Sequence, residues 1–216
     1  MKTSTLTRHA RPLVLLALAS LLNVRAAESP PPHPVATTAK ADHVMRNGLV
    51  IIEAESGAGK WERVTDQGTT AIRSAVGAKM SYQVQFPEAG IYYVHLRCHY
   101  SVGMKNAAGE VLKGESTNDA LFTVGGARLY GSDNATRPEG LRCHSADFRW
   151  WSRPKGPGAH TPNPIKELPA HTFIPQPGVY EVVIGYRSPG FVIDQLAFSR
   201  TAQPNLDSGS KAKPAQ

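Results

Sequence analysis

The chain has 216 residues, which is enough for one domain with flanking segments, and its formal net charge is +7. Four of its basic residues and none of its acidic residues lie within the first 26 positions, so the rest of the chain carries +3. The remaining basic residues are scattered along the sequence, which argues against a nucleic-acid-binding face and against nucleic acid as a partner.

The first 26 residues have the pattern of a secretory signal peptide. Lys2, Arg8 and Arg11 precede an apolar run at 12–22, and Val24-Arg25-Ala26 offers small residues at the −3 and −1 positions of a cleavage site. The run is short for a membrane span, and no later segment is long and apolar enough to cross a bilayer. The sequence predicts a secreted or periplasmic protein with no membrane span after cleavage; an uncleaved anchor is the alternative.

Composition divides the rest of the chain into three parts. Residues 27–45 are rich in proline and lack an apolar period, which predicts a linker. Residues 201–216 hold Pro, Ser, Lys and Ala with little to bury, which predicts a disordered tail. The folded domain is therefore expected at 46–200.

Within this domain, apolar and polar residues alternate with a period of two, the pattern of half-buried strands. The alternation is clearest at 80–86, 92–100 and 180–187. Turns rich in Pro and Gly separate the segments, and no stretch has the pattern of an amphipathic helix. Further strands are predicted at 49–55, 119–125, 146–151, 169–174 and 191–199. The pattern predicts an all-β sandwich or barrel with antiparallel strands.

Cys98 and Cys143 are the two cysteines of the chain. In an exported protein an even count allows one disulfide, and a loop of this length would stabilise the fold by about 4 kcal/mol in the chain-entropy model. Two buried free thiols are the alternative, because Cys98 falls on the inward face of its predicted strand.

Several motifs follow one another in a recognisable order. They are Ile51-Ile52-Glu53-Ala54-Glu55, Phe86-Pro87-Glu88-Ala89-Gly90-Ile91-Tyr92, Asn118-Asp119-Ala120-Leu121-Phe122-Thr123-Val124-Gly125-Gly126, Phe148-Arg149-Trp150-Trp151 and Phe191-Val192-Ile193-Asp194-Gln195-Leu196. This order resembles the carbohydrate-binding modules of families 6 and 35 and related galactose-binding-like domains. The resemblance implies a jelly-roll β-sandwich of about eight to ten strands. Ala120 and Gly125 differ from that pattern, which usually has Ser and Asp at these places.

Glu53, Glu55 and Asp194 are carboxylates without basic neighbours in sequence. Glu53 and Glu55 are two residues apart in a predicted strand, so they are expected on one face about 6–7 Å apart. In the families that the chain resembles, these positions help to hold a structural calcium ion, and oxygen-only ligands suit Ca²⁺. The alternatives are solvated edge residues with Asp194 capping a turn, or the acid and base of a glycosidase.

Trp150 and Trp151 are adjacent, so a strand would direct them to opposite faces. Trp150 shares the face of Phe148, so Trp151 is predicted to be the exposed indole on which a sugar stacks; the alternative is that both indoles fill the core and the underside of the following loop. Arg149 shares the face of Trp151, and the resemblance places Asn118 and Tyr100 nearby as further polar support. An indole beside a guanidinium would suit an acidic sugar such as a uronic acid.

His95, Arg97 and His99 alternate along one predicted strand. The two histidines are about 13 Å apart on an extended strand, too far to share one zinc ion, so a solvated outward face is expected.

Together these features predict an exported, non-catalytic module that binds a polysaccharide or other glycan and carries a structural calcium ion. The first alternative is a structural or adhesive module that binds a cell-envelope protein, and the second is a small secreted glycoside hydrolase.

Overall fold

The computed structural model describes residues 33–105, 108–112, 117–131, 140–155 and 169–206, with the side chains of 153–155 excepted. The predicted signal peptide and most of the predicted tail lie outside these residues. The described part contains a single 3-10 turn, Ala54–Ser56, and otherwise only strands. Within it, no helix has the length and apolar character that a membrane crossing requires.

The strands, in chain order, are β1 (His43–Val44), β2 (Leu49–Glu53), β3 (Ala58–Gly59), β4 (Glu62–Asp66), β5 (Thr69–Arg73), β6 (Lys79–Phe86), β7 (Gly90–Tyr100), β8 (Asp119–Val124), β9 (Ala127–Arg128), β10 (Gly140–Arg142), β11 (Arg149–Trp151), β12 (Arg153–Lys155), β13 (His171–Ile174), β14 (Gly178–Gly185) and β15 (Phe191–Ser199).

These strands form two sheets. The first has the order β1-β6-β14-β8-β10-β12, with β3 beside β6 and β9 beside β8. The second has the order β11-β7-β15-β5-β4, with β13 beside β7 and β2 beside β15. Only the short β1–β6 pair is parallel among the described pairings. The predicted all-β jelly-roll sandwich is confirmed, with more strands than expected because several have only two or three residues.

Alternating side chains of both sheets make the core. Phe86 of the first sheet packs edge-on against Tyr92 and Phe198 of the second, with ring centroids 4.8 and 5.3 Å apart. These rings are fully buried, as are the inward residues of β6, β7 and β14. Burial of so many large side chains supplies the main driving force for folding.

Residues 33–45 do not behave as the predicted linker. The Val35 N–H donates to the Gly125 carbonyl (3.1 Å), Thr37 N–H donates to Val179 (2.7 Å), and β1 pairs with β6. Met45 is buried in the core. We call residues 35–45 the N-terminal strap, because they cross three strands of the first sheet. The tail is also shorter than predicted, since Leu206 is buried.

The strap explains one departure from the family pattern. Gly125 has φ = +53°, and a Cβ there would lie 2.6 Å from the backbone nitrogen of Val35. A residue with a side chain would be strained in this conformation and would push the strap away. Glycine therefore stands at 125 because the strap passes directly over it.

Candidate functional site

A cleft of about 450 Å³ lies beside the C-terminal end of β7 and the turn between β4 and β5. We call it the loop-end cleft, and its principal lining residues are Asp66, Gln67, Arg73, His99, Tyr100 and Met104. Loop residues Ser101 and Val102 and the backbone around Ala146 complete its wall. Its volume falls in the range typical of small-molecule sites.

The β4–β5 hairpin brings the first of these residues into place. Gln67 (φ = +50°) and Gly68 (φ = +75°) occupy a two-residue turn in which both residues have positive φ, the geometry favoured in tight hairpins. The Gln67 amide donates to the carbonyl of Ala146 (2.7 Å), which links the hairpin to the segment before β11. The Tyr100 N–H donates to Ser145 of the same segment (3.1 Å). Three separate parts of the chain thus form one cleft.

Charged groups inside the cleft are paired with one another. Oδ2 of Asp66 lies 3.4 Å from Nη2 of Arg73 and 3.5 Å from Nε2 of His99. Nη1 of Arg73 lies 3.6 Å from Glu62 at the start of β4. Among the described residues, the cleft therefore has no cation without a nearby carboxylate.

The outward face of β7 is not the solvated surface predicted. His95 and His99 are only 6% and 3% exposed. The ring of His99 meets that of Phe148 edge-on at 4.4 Å, and the Arg97 guanidinium lies 5.3 Å from the centre of the same ring. Burial lowers the pKa of His95 to about 4. The side chains that alternate outward along β7 are therefore a packed polar and aromatic layer.

Of the four predicted ligand-binding residues, one lines the cleft and a second is buried away from it. Tyr100 lines it. Asn118 is buried, and its amide donates to the carbonyl of Cys143 (3.0 Å), while the Cys143 N–H donates to the Asn118 carbonyl (2.9 Å). Asn118 therefore has a structural role beside the core residue Cys143, and its buried amide nitrogen is committed to the backbone.

The predicted faces of the two tryptophans are wrong. Trp151 is directly opposite Leu96 in the β11–β7 pair, and directly opposed residues share a face. Leu96 is a core residue, and Trp151 packs partly buried against the core. Trp150 is opposite Arg97, on the face that also carries Phe148. Arg149 is exposed and opposite Cys98. Because Phe148 is apolar, its face was expected to be the core face. Phe148 instead packs against His99 and Arg97 in the layer outside β7, which we call the outer layer.

The three predicted calcium ligands have different backbone settings from those expected. β2 ends at Glu53, and Glu55 lies in the 3-10 turn, so the two do not share a strand face. Asp194 is the extra residue of a bulge in β15, where pairing with β7 shifts between Ile193 and Gln195. Arg97 donates to Oδ2 of Asp194, and Gln195 donates to Glu53 (3.0 Å).

The electrostatics of Asp194 nevertheless suit a cation. Its pKa is raised, first by burial and then by the charges of Glu53 and Glu55, against the opposing effect of Arg97. Oδ1 of Asp194 is buried and has no hydrogen-bond donor among the described residues. In that part of the chain, however, no three Asp, Glu, His or Cys side chains converge on a point that would hold a metal ion. The oxygen donors fit calcium in chemistry, with Arg97 as the competing positive charge.

The predicted disulfide is not present: Cys98 and Cys143 are both free thiols. Both are fully buried, they are close neighbours, and the Cys98 thiol donates to the carbonyl of Leu96 (3.7 Å). Burial, together with this neighbouring thiol, raises the pKa of Cys98, which keeps it protonated and unreactive. The pair belongs to the core and not to the loop-end cleft.

Sequence reasoning missed Asp66, Gln67, Arg73 and His99 as residues of one site. The Asp66-Gln67-Gly68 sequence is a signal for a hairpin turn, because Asp favours turns and Gly68 can adopt the positive φ that a tight hairpin needs. That signal would have placed Asp66 and Arg73 together on a hairpin. It would not have placed them beside His99.

No protein-family model matches the chain, and no curated protein sequence matches it significantly. Similar proteins are found among the solved structures. One similar structure is the C-terminal family 6 carbohydrate-binding module of LamC, a marine laminarinase from Zobellia galactanivorans. It has 16% identity and a TM-score of 0.42, covering 70% of this chain and 99% of that one.

Another is a family 35 carbohydrate-binding module from Clostridium thermocellum, with 16% identity, a TM-score of 0.41, and coverage of 69% and 96%. A third is the Podospora anserina GH26-CBM35 β-(1,4)-mannanase, with 10% identity, a TM-score of 0.40, and coverage of 74% of this chain but 29% of that one. The similar structures thus include modules of both families that the sequence motifs resemble.

Proposed function

We propose that this chain is an exported, non-catalytic carbohydrate-binding module whose ligand occupies the loop-end cleft. The observation that carries the proposal is the composition of the cleft wall. Asp66, Arg73 and Gln67 offer hydrogen-bond acceptors and donors, and Met104 and Tyr100 offer apolar surface. A sugar ring needs this combination, because hydroxyl groups surround its edge and C–H groups cover its faces.

The cleft favours binding over hydrolysis. Glycoside hydrolysis commonly uses two carboxyl groups, about 5–9.5 Å apart, on either side of the scissile bond. Of the described residues that line the cleft, only Asp66 carries a carboxylate, and it is paired with Arg73 and His99. Aryl-glycoside turnover by the purified protein would support the hydrolase alternative instead.

An arginine substitution tests the proposed site. Replacing Arg73 with alanine removes the guanidinium from the cleft and is expected to weaken binding to the best glycan of a polysaccharide panel by about tenfold, the loss of one charge-assisted hydrogen bond. Affinity gel electrophoresis gives the retardation of each variant, and thermal melts show whether it is folded.

The matched control is Arg200→Ala. Arg200 is similarly exposed and also pairs with a carboxylate, Glu88 (3.8 Å), but it lies outside the cleft. This control variant is expected to bind like the wild type, even if it melts at a lower temperature. Equal retardation of the wild type and Arg73→Ala on every glycan that is bound would place the ligand elsewhere.

We also propose that a calcium ion binds near Glu53, Glu55 and Asp194. The support is the raised pKa of Asp194 and its buried oxygen without a donor. A bound cation would supply charge neutralisation that Arg97 provides only in part. No catalytic role follows from such an ion.

Calcium is therefore expected to raise the melting temperature. A site filled at 100 times its dissociation constant stabilises the fold by about 2.7 kcal/mol, which is several degrees for a domain of this size. The measurement compares protein stripped of metal, melted with excess Ca²⁺ and with chelator. Superimposable melting curves would contradict the calcium proposal.

A further inference from the structure

The charges of the loop-end cleft bear on the class of sugar that it accepts. Resting on the proposed function, we infer that the ligand is an uncharged sugar recognised through two adjacent hydroxyl groups, with Asp66 as acceptor and Arg73 as donor. Uronic acids, which an exposed Trp151 beside Arg149 would have favoured, are then poor ligands.

The first step is the spacing of the two groups. The carboxylate of Asp66 and the guanidinium of Arg73 are adjacent, with Oδ2 and Nη2 3.4 Å apart, so the other atoms of both groups can reach neighbouring hydroxyls. The oxygens of two vicinal hydroxyls in a pyranose are separated by about one hydrogen-bond length. One hydroxyl can therefore donate to the carboxylate while its neighbour accepts from the guanidinium, and both bonds are charge-assisted.

The second step is the hydrogen-bonding capacity that remains. The contacts of Asp66 with Arg73 and with the His99 ring are both made by Oδ2, and among the described residues no donor contacts Oδ1. The guanidinium has five N–H groups, of which one hydrogen-bonds to Asp66; the other carboxylate near it, Glu62, is 3.6 Å away. Each partner can therefore bind a hydroxyl without releasing the other.

The third step is the unfavourable environment for a carboxylate. Arg73 already has two carboxylates within 4 Å, and His99 lies near one of them. An incoming uronate would have to displace Asp66 or Glu62 or remain close to both, and like charges at such distances repel. A neutral diol avoids this repulsion.

Binding of simple glycosides by the full chain tests the inference. The probes are the methyl glycosides of galactose, glucose, mannose and xylose, the methyl glycosides of galacturonic and glucuronic acid, and deoxy forms of the best neutral ligand. Calorimetry gives each dissociation constant at physiological salt. The expected result is a neutral glycoside bound about tenfold or more tightly than its uronic acid counterpart. At least one deoxy form that lacks a hydroxyl of the recognised pair is expected to bind about tenfold more weakly than the parent sugar.

A second test uses a substitution that is expected to change which sugars the cleft prefers. Asp66→Asn removes one of the two carboxylates from Arg73, so it is expected to weaken the neutral ligand about tenfold and to strengthen the uronic acid. Glu88→Gln, the same class of change at a carboxylate outside the cleft, is expected to alter neither. Melting curves confirm that each variant is folded, and the wild-type panel decides the question if Asp66→Asn does not fold.

Three outcomes would overturn the inference. Tighter binding of a uronic acid than of every neutral glycoside would overturn it while leaving the proposed function intact. Equal binding of every deoxy form and the parent sugar would do the same. Failure of every glycoside to bind, with polysaccharide panels also negative, would overturn both the inference and the proposed function.

Discussion

Replacing Trp151 with alanine is expected to lower the free energy of unfolding by about 3 kcal/mol, whereas Trp150→Ala is expected to cost about 1 kcal/mol. The difference follows from the register of β11 on β7. Trp151 is opposite the core residue Leu96 and packs against the core, and Trp150 is opposite Arg97 in the outer layer. Truncating Trp151 leaves a cavity beside the core, and truncating Trp150 uncovers part of the outer layer.

Denaturant unfolding followed by circular dichroism gives both free energies. The two variants are matched, since each removes an indole from the same short strand. Both are expected to retain glycan binding while folded, because neither side chain lines the loop-end cleft. A greater loss for Trp150→Ala would mean that β11 pairs with β7 one residue out of the observed register.

Acid is expected to destabilise the fold through His95. The pKa of this histidine is about 4 in the folded protein, against an ordinary value of 6.5. As the pH falls from 6.5 towards 4, His95 is protonated in the unfolded chain but stays neutral in the folded protein. The free energy of unfolding therefore decreases until about pH 4. A pKa shift of this size corresponds to about 3 kcal/mol in the free energy of unfolding. This stability is fully present above the pKa of the unfolded state and is lost as the pH falls to the pKa of the folded state.

The matched control for this prediction is His95→Gln, which keeps a polar side chain but cannot titrate. The free energy of unfolding is measured at pH 7.5 and pH 4 for both proteins. The wild type is expected to lose about 3 kcal/mol more than the variant over this range. Contributions from Asp194 and other carboxylates are common to both proteins and cancel in the comparison. An identical loss in both would mean that His95 is protonated freely in the folded state.

The long strands could be predicted from sequence because their side chains alternate between core and exterior. β6, β7 and β14 coincide closely with the segments of period two, and their inward residues are buried. β4 and β5 were not predicted, because β4 is an exposed edge strand and β5 contributes only the two adjacent buried residues Ala71 and Ile72, so neither has a clear alternation. The strap was missed because it follows a proline-rich stretch and has no apolar period of its own, so nothing in its sequence indicates that it pairs with the first sheet.

The candidate site was harder to predict than the fold. Strand alternation gives the two faces of β7, but it cannot say that Phe148 covers the outer face near His99. The proximity of Asp66 to His99 depends on how β5 lies beside β15, a pairing between distant parts of the chain. The bulge at Asp194 likewise has no signal in the sequence, although it determines which side chain meets Arg97.

Binding at the loop-end cleft is tested most directly by titrating the ¹⁵N-labelled protein with the best-bound neutral glycoside and following the amide chemical shifts. Saturable changes are expected to be concentrated at Gln67, Tyr100 and Ala146, which line the cleft. Changes concentrated instead at Arg149 and Trp151, with those three amides unmoved, would contradict it.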